Sequence, residues 1–324
     1  MKIAVVGCGA VGSFYGAKLA RAGGELHFLV RSDYQTVRRK GVFIRSKQGD
    51  FRVQPKCALH PQEIGVCQLV LIALKTTAND ELGKLLPPLI GPDTAVLTLQ
   101  NGLGNEEQLA GFIPSAQILG GLCFVCLNRI EPGVVEHIDH GHVMLGEFQR
   151  WPEPRTHDIA GLFRNAGVPC TVTDNLARAH WEKLTWNIPF NGLGVAGVAG
   201  YQAVVGGAMD LVEKRLGTCL TTDRLLTDPR WAQLVRELML EVIAAGRGMG
   251  FDLADSLADQ QIERTHTMGA YKASTLIDFE RGQPLELESL FLEPLRQADR
   301  AKVGVPRLTA LARLLQQLDG LRLR

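Results

Sequence analysis

The chain has 324 residues, of which 46% are hydrophobic and 21% charged, with a formal net charge of +1. That length suits two domains with sizeable cores, and the balanced charge carries no polyanion signal, so nucleic-acid and membrane partners are not expected. Seven cysteines, odd in number and scattered, read as reduced thiols of a cytoplasmic protein rather than a disulfide framework.

The N-terminus enters an apolar strand at once, Lys2-Ile3-Ala4-Val5-Val6, which leaves no room for a secretory leader. Gly7-Cys8-Gly9-Ala10-Val11-Gly12 follows, then an amphipathic run from Phe14 to Ala22 that Gly23-Gly24 stop before a second strand, Leu26 to Val30. A GxGxxG is weak evidence in a chain with 35 glycines, but here a strand leads in and a helix leads out, as the motif requires. Gly7 makes the tight turn, Gly9 lets backbone approach a pyrophosphate, and Gly12 lets helix and strand pack closely. The helix N-terminus then offers N–H groups and its positive dipole end to the phosphates. An NAD-preferring site usually ends the second strand with Asp or Glu; Arg31 stands there instead. A guanidinium suits a 2′-phosphate, so NADP(H) is the expected cofactor, with Asp33 leaving NAD(H) as the alternative.

Val42 to Arg45 and Phe51 to Gln54 flank Lys47-Gln48-Gly49-Asp50 as a β-hairpin. Gln68 to Leu74 is a continuous apolar strand that ends at Lys75-Thr76-Thr77, and a helical pattern then runs to Leu86 and Pro87-Pro88. Ala95 to Leu99 is a further buried strand, ending in Gln100-Asn101-Gly102. Strand-like runs follow at Ile118 to Leu127, Gly133 to Ile138, Val143 to Phe148 and Pro169 to Val172. The alternation predicts a doubly wound parallel sheet with late antiparallel additions. Cys123 and Cys126 have CxxC spacing inside an apolar strand rather than at a helix start, so they are read as structural. His137, His140 and His142 surround Gly141 in what reads as a solvated hairpin turn; no metal site is expected there.

From Asn175 onward helical periodicity dominates: Ala177 to Asn187, Trp231 to Gly246, Leu257 to Ser274, Leu285 to Val303 and Leu308 to Leu318. The predicted organisation is therefore α/β: an N-terminal Rossmann-type doubly wound domain over 1–174 and an all-α C-terminal domain over 175–324, with a ligand cleft between them. The apolar stretch Gly192 to Val212 contains Gln202 and Asp210 and reads as closely packed helix, not a membrane span. Lys75 and Asn101 both follow apolar strands, where ligands of open α/β sheets bind. Lys183, Asn187 and Asn191 repeat every four residues, one face of a helix whose neighbours are bulky and apolar. Such a buried polar stripe needs partners, and a ligand could supply them.

In Gly7 to Gly12, Leu74-Lys75-Thr76, Gln100-Asn101-Gly102, Glu182-Lys183-Leu184 with Asn187 and Asn191, Ser274 with Asp278, Arg281 to Glu288, and Gly304-Val305-Pro306, the chain resembles the ketopantoate reductase (2-dehydropantoate 2-reductase) family. The pieces run in family order over nearly the full length. The resemblance implies NADPH-dependent reduction of a 2-oxo acid, 2-dehydropantoate, to (R)-pantoate for pantothenate and coenzyme A synthesis. It implies Lys183 as general acid and Glu286 as a substrate-binding residue that supports the lysine. Asn101, Asn187, Asn191 and Ser274 would line the substrate pocket, and Lys75 and Asn101 would approach the nicotinamide. A homodimer is left open. Where the family commonly has Asn-Pro, this chain has Asn191-Gly192; where it often has Asn-Gly after the Glu286 element, this chain has Phe291-Leu292; and Gly200 to Thr222 is longer than usual. The same chemistry on another branched 2-oxo acid, or a non-catalytic NADP(H)-binding sensor, are the alternatives. A surface salt bridge to Arg281 or Arg296 is the structural alternative for Glu286.

Overall fold

The computed structural model describes residues 1–212 and 216–321, and the chain divides into two compact units, Met1–Leu176 and Ala177–Arg324. The first unit opens with β1 (Lys2–Val6), α1 (Ala10–Arg21), β2 (Glu25–Leu29) and α2 (Tyr34–Lys40). The expected hairpin is β3 (Val42–Ser46) against β4 (Phe51–Val53), antiparallel, followed by β5 (Lys56–Ala58). Next come β6 (Leu69–Ile72), α3 (Leu82–Leu85), β7 (Ala95–Thr98) and α4 (Asn105–Ala110). Two long strands, β8 (Ile118–Glu131) and β9 (Val134–Glu147), lead to α5 (Pro154–Asn165) and β10 (Cys170–Val172).

The sheet order is β4-β3-β9-β8-β7-β6-β1-β2-β5, with β10 paired to β9. Parallel pairing joins β1 to both β2 and β6, β6 to β7, and β7 to β8. The chain thus grows outward from β1 on one side and, from β6 onward, on the other. The reversal falls between β1 and β6, and the carboxyl ends of strands at such a point form a ligand crevice. Alternate residues of the central strands feed two separate cores. Ile3, Val5, Leu69, Leu71 and Leu97 pack with α1 and α5, while Ala4, Val6, Val70, Ile72 and Val96 pack on the opposite face.

The expected turn at Gly141 is instead a bulge within continuous β9. His140 (φ 62°) and Gly141 (φ 127°) absorb one extra residue between the pairs Phe124↔His142 and Val125↔His140. His137 is correspondingly not solvated: it is 3% exposed, with Nδ1 2.8 Å from Ser46 Oγ and Nε2 2.9 Å from the His140 carbonyl. Cys123 and Cys126 are both buried within β8. Among the described residues no cluster of His, Cys, Asp and Glu could hold a metal ion.

Among its described residues the second unit contains helices and no strand. In order these are α6 (Leu176–Ala196, whose first residue closes the first unit), α7 (Tyr201–Gly206), α8 (Thr222–Thr227) and α9 (Pro229–Gly248). They are followed by α10 (Ser256–His266), α11 (Ser274–Glu280), α12 (Glu293–Arg300) and α13 (Pro306–Leu321). Helix α6 runs beyond the predicted end at Asn187 and straight through Pro189. An interior proline costs about 3 kcal/mol. The helix sinks Trp181, Leu184, Ile188, Phe190, Leu193 and Val195 into the core, each worth roughly 1.5–3 kcal/mol, which outweighs that cost.

Two predicted helices are interrupted. Residues 257–274 break around Gly269, whose carbonyl accepts from Thr222 Oγ1 at 2.7 Å while the Tyr271 carbonyl accepts from Thr222 N at 3.1 Å. The stretch from Leu285 starts as a coil and enters α12 through a π-helical turn, Glu288–Leu292. Pro294 explains the widening, since it cannot donate to the Leu290 carbonyl and would clash with it in an α-helix.

Candidate active site

The glycine loop leaves β1 at the reversal point. Gly7 (φ 100°) turns so tightly that a Cβ there would sit 2.4 Å from Leu74 N, and one on Gly12 would sit 2.1 Å from the Gly7 carbonyl. Gly9 differs, since a Cβ there would meet nothing within 4 Å. Its open side lies at the start of α1, where Gly9 is the N-cap and no side chain caps the helix. Cys8 turns inward, its Sγ 3.5 Å from the Leu29 carbonyl, and burial pushes its thiol pKa well up. Ala10 and Val11 form the first turn, packed against the core. The loop thus has backbone donors, an open approach and no reactive side chain, which fits a dinucleotide pyrophosphate.

Lys75 is exposed just past β6, and Asn101 is half-buried just past β7. Ladder bonds Ala73 N to the Val6 carbonyl (2.8 Å) and Leu99 N to the Ile72 carbonyl (2.7 Å) hold these ends beside the glycine loop. Three carboxamides lie near them: Asn79 and Asn105, which no sequence motif marks, and Gln100, which the sequence marks only as part of Gln100-Asn101-Gly102. Gln100 and Asn105 are 5% and 2% exposed, a burial that single-sequence polarity does not reveal.

Arg31 is exposed on the bend that follows β2. Asp33, the residue that left NAD(H) open, is buried and committed elsewhere. Its carboxylate pairs with Arg129 and accepts from Ser32 Oγ at 3.0 Å and Gly133 N at 3.3 Å.

In the second unit, α6 carries Lys183, Asn187 and Asn191 on one face, with Lys183 half-buried and the asparagines 7% and 3% exposed. Asn191 and Ser274 meet: Asn191 Oδ1 accepts from Ser274 Oγ at 3.2 Å and from Thr275 N at 3.0 Å, which fixes its carboxamide against the start of α11. Glu286 is 5% exposed in the coil before the π turn. Of the two arginines considered as its partners, Arg296 pairs with Glu288 and Glu293.

The two departures near this face are one packing event. A Cβ on Gly192 would lie 2.6 Å from Leu311 Cδ2 and 2.9 Å from Phe291 Cε1, so the Phe291 ring occupies space that a side chain at 192 would need. The longer stretch Gly200 to Thr222 lies partly outside the described residues, at 213–215. Its later part ties back to α6 through Leu220 N to the Gly194 carbonyl at 2.9 Å.

A doubly wound sheet with an open glycine turn at its reversal point, followed by a helical unit, defines a dinucleotide-binding oxidoreductase fold. Family models described as ketopantoate reductase PanE/ApbA and its C-terminal region match residues 3–150 and 215–319. A 2-dehydropantoate 2-reductase from Nostoc sp. is 38% identical, over 98% of this chain and 95% of that protein. The crystal structure of 2-dehydropantoate 2-reductase from Geobacter metallireducens GS-15 is 42% identical with a TM-score of 0.88, covering 98% of this chain and 99% of that one. A 2-dehydropantoate 2-reductase structure from Methylococcus capsulatus is 31% identical with a TM-score of 0.87, covering 100% and 98%. The chain belongs to the ketopantoate reductase PanE/ApbA family. No described helix is long and apolar enough to cross a membrane.

Proposed function

We propose that the chain reduces 2-dehydropantoate to (R)-pantoate with NADPH, the first unit (Met1–Leu176) carrying the cofactor and the second (Ala177–Arg324) the substrate and the acid. The observation that carries this reading is the near full-length likeness to 2-dehydropantoate 2-reductases. The open N-terminus of α1 and the diversion of Asp33 to Arg129 support a phosphate-bearing cofactor. Gly7, Cys8, Gly9, Ala10, Val11 and Gly12 would hold the pyrophosphate through backbone N–H groups, and Arg31 the 2′-phosphate. A homodimer in the cytoplasm belongs to the same proposal, with light scattering as the check on its size.

NADPH supplies the hydride when bound. As the keto carbon receives it, negative charge grows on the former carbonyl oxygen. The Lys183 ammonium stabilises that charge and delivers the proton. Asn101, Asn187, Asn191 and Ser274 orient the keto acid without adding a titrating group. Glu286 accepts a hydrogen bond from the substrate hydroxyl, which selects against analogues lacking it. The buried setting of Asn187, Asn191 and Glu286 supports this role, since water is kept from competing.

The test is NADPH oxidation with 2-dehydropantoate and with its analogue lacking the hydroxyl. Lys183→Ala should lower kcat by roughly 10²–10⁴ while NADPH still binds. Full activity in that variant assigns the acid elsewhere, and equal use of both keto acids removes Glu286 as the reader of the hydroxyl.

A further inference from the structure

Past Leu99 N the ladder between β6 and β7 ends, and the loops carrying Lys75 and Asn101 are joined by side chains. Gln100 Nε2 donates to the Leu74 carbonyl at 3.1 Å and to Asn79 Oδ1 at 2.6 Å, while its Oε1 accepts from Thr98 Oγ1 at 3.0 Å. Asn79 Nδ2 donates to Asn105 Oδ1 at 3.2 Å and to Gln108 Oε1 at 2.9 Å. Asn105 Nδ2 donates to the Asn101 carbonyl at 3.1 Å. The path runs unbroken from the peptide before Lys75 to the peptide of Asn101.

The two ends set its polarity. Both are carbonyl oxygens, which only accept, so Gln100 and Asn105 must turn their NH₂ groups toward them. Asn105 then shows its oxygen to Asn79, which must answer with nitrogen and keep its own oxygen for Gln100. Each carboxamide has one workable orientation, and Asn79 is the joint at which both halves meet. Networks of this kind rigidify when complete and fail as a unit when one member cannot pair.

We propose that this carboxamide relay, with Asn79 at its centre, is a positioning device for the reduction: it fixes the spacing of Lys75 and Asn101. The inference rests on the functional reading above, in which those two residues attend the nicotinamide. Asn79→Asp tests it with almost no change of volume. A carboxylate can still accept from Gln100, but it sets oxygen against Asn105 and Gln108. If Asn105 turns to relieve the clash, the Asn101 carbonyl loses its donor.

The experiment compares wild type, Asn79→Asp, Lys75→Ala, Asn101→Ala and the double variant Asn79→Asp/Lys75→Ala in steady-state kinetics with NADPH and 2-dehydropantoate, alongside thermal melts. In Asn79→Asp, kcat should fall by about tenfold to a hundredfold while KM for NADPH stays within about threefold, because the phosphate loop is untouched. Lys75→Ala should cost much less in the Asn79→Asp background than alone, a coupling that lost stability would not produce. If Asn79→Asp does not fold, Asn79→Ala, which deletes the joint without adding charge, carries the same expectations. Unchanged kcat at position 79 with an impaired Lys75→Ala, or strictly additive losses, overturns the relay alone. A wild type that does not turn over, or Lys75→Ala and Asn101→Ala both at full kcat, overturns the functional reading beneath it.

Discussion

In the first unit the candidate groups sit where backbone changes direction: the glycine loop after β1, Lys75 after β6 and Asn101 after β7. In the second they lie along the flank of one buried helix, α6, and on segments packed against it. The first arrangement follows from topology, because parallel strands end together at one edge and a reversal in strand order opens a crevice there. The second depends on packing, since a helix face is functional only if its neighbours leave room. Altered binding groups at a strand end should therefore change ligand affinity directly. Altered packing on the helix should change stability as well.

The sharpest probe of the first arrangement is Arg31→Ala. Losing a charge-assisted contact to a 2′-phosphate costs about 1.5–3 kcal/mol, so NADPH affinity should drop roughly ten- to hundredfold. NADH affinity should change little, because Asp33 is held by Arg129 and Gly133 rather than directed at a ribose. Titration of both cofactors by fluorescence decides the matter, and equal losses would remove Arg31 from cofactor selection.

The same contrast explains what could be read from the chain. The central strands, the glycine turn and the positions of Lys75 and Asn101 were legible because continuous apolar runs and a fixed motif encode them locally. The bulge at Gly141 was not, since Gly141 looks the same in a turn and in an interrupted strand; only pairing with β8 distinguishes them. In the helical unit the four-residue spacing of Lys183, Asn187 and Asn191 was visible. The fates of Pro189 and of 285–303 were set by burial and by Pro294, which tertiary context decides. Asn79, and any role for Gln100 beyond its motif, were not legible because a polar residue near a strand end reads as loop until its partners are known.

For the second arrangement the probe is Gly192→Ala. The added methyl would overlap Leu311 and Phe291, so the variant should lose about 1–3 kcal/mol in stability by denaturant titration. Shortening the ring with Phe291→Val should recover part of that loss in the double variant, since neighbours that share space are not additive. Full additivity would mean that the two departures are unrelated.

The smallest expected effect lies back in the first unit, at the β9 bulge. Burial pulls the pKa of His137 below its ordinary value, aided by nearby Lys18 and opposed by the His140 carbonyl and Asp139; burial lowers His142 likewise. A histidine with a lowered folded pKa binds fewer protons folded than unfolded, so stability is flat above about pH 6.5 and falls as pH drops toward the folded value. At about pH 5.5, one unit below the ordinary value, the loss is at most about 1.4 kcal/mol per histidine. Melting curves of wild type and His137→Gln between about pH 7.5 and 5.5 separate this from general acid sensitivity. The variant should start lower, having lost its bonds to Ser46 and the His140 carbonyl, yet decline less steeply with acid. Parallel slopes would mean that the buried imidazole does not set the acid limit of the sheet.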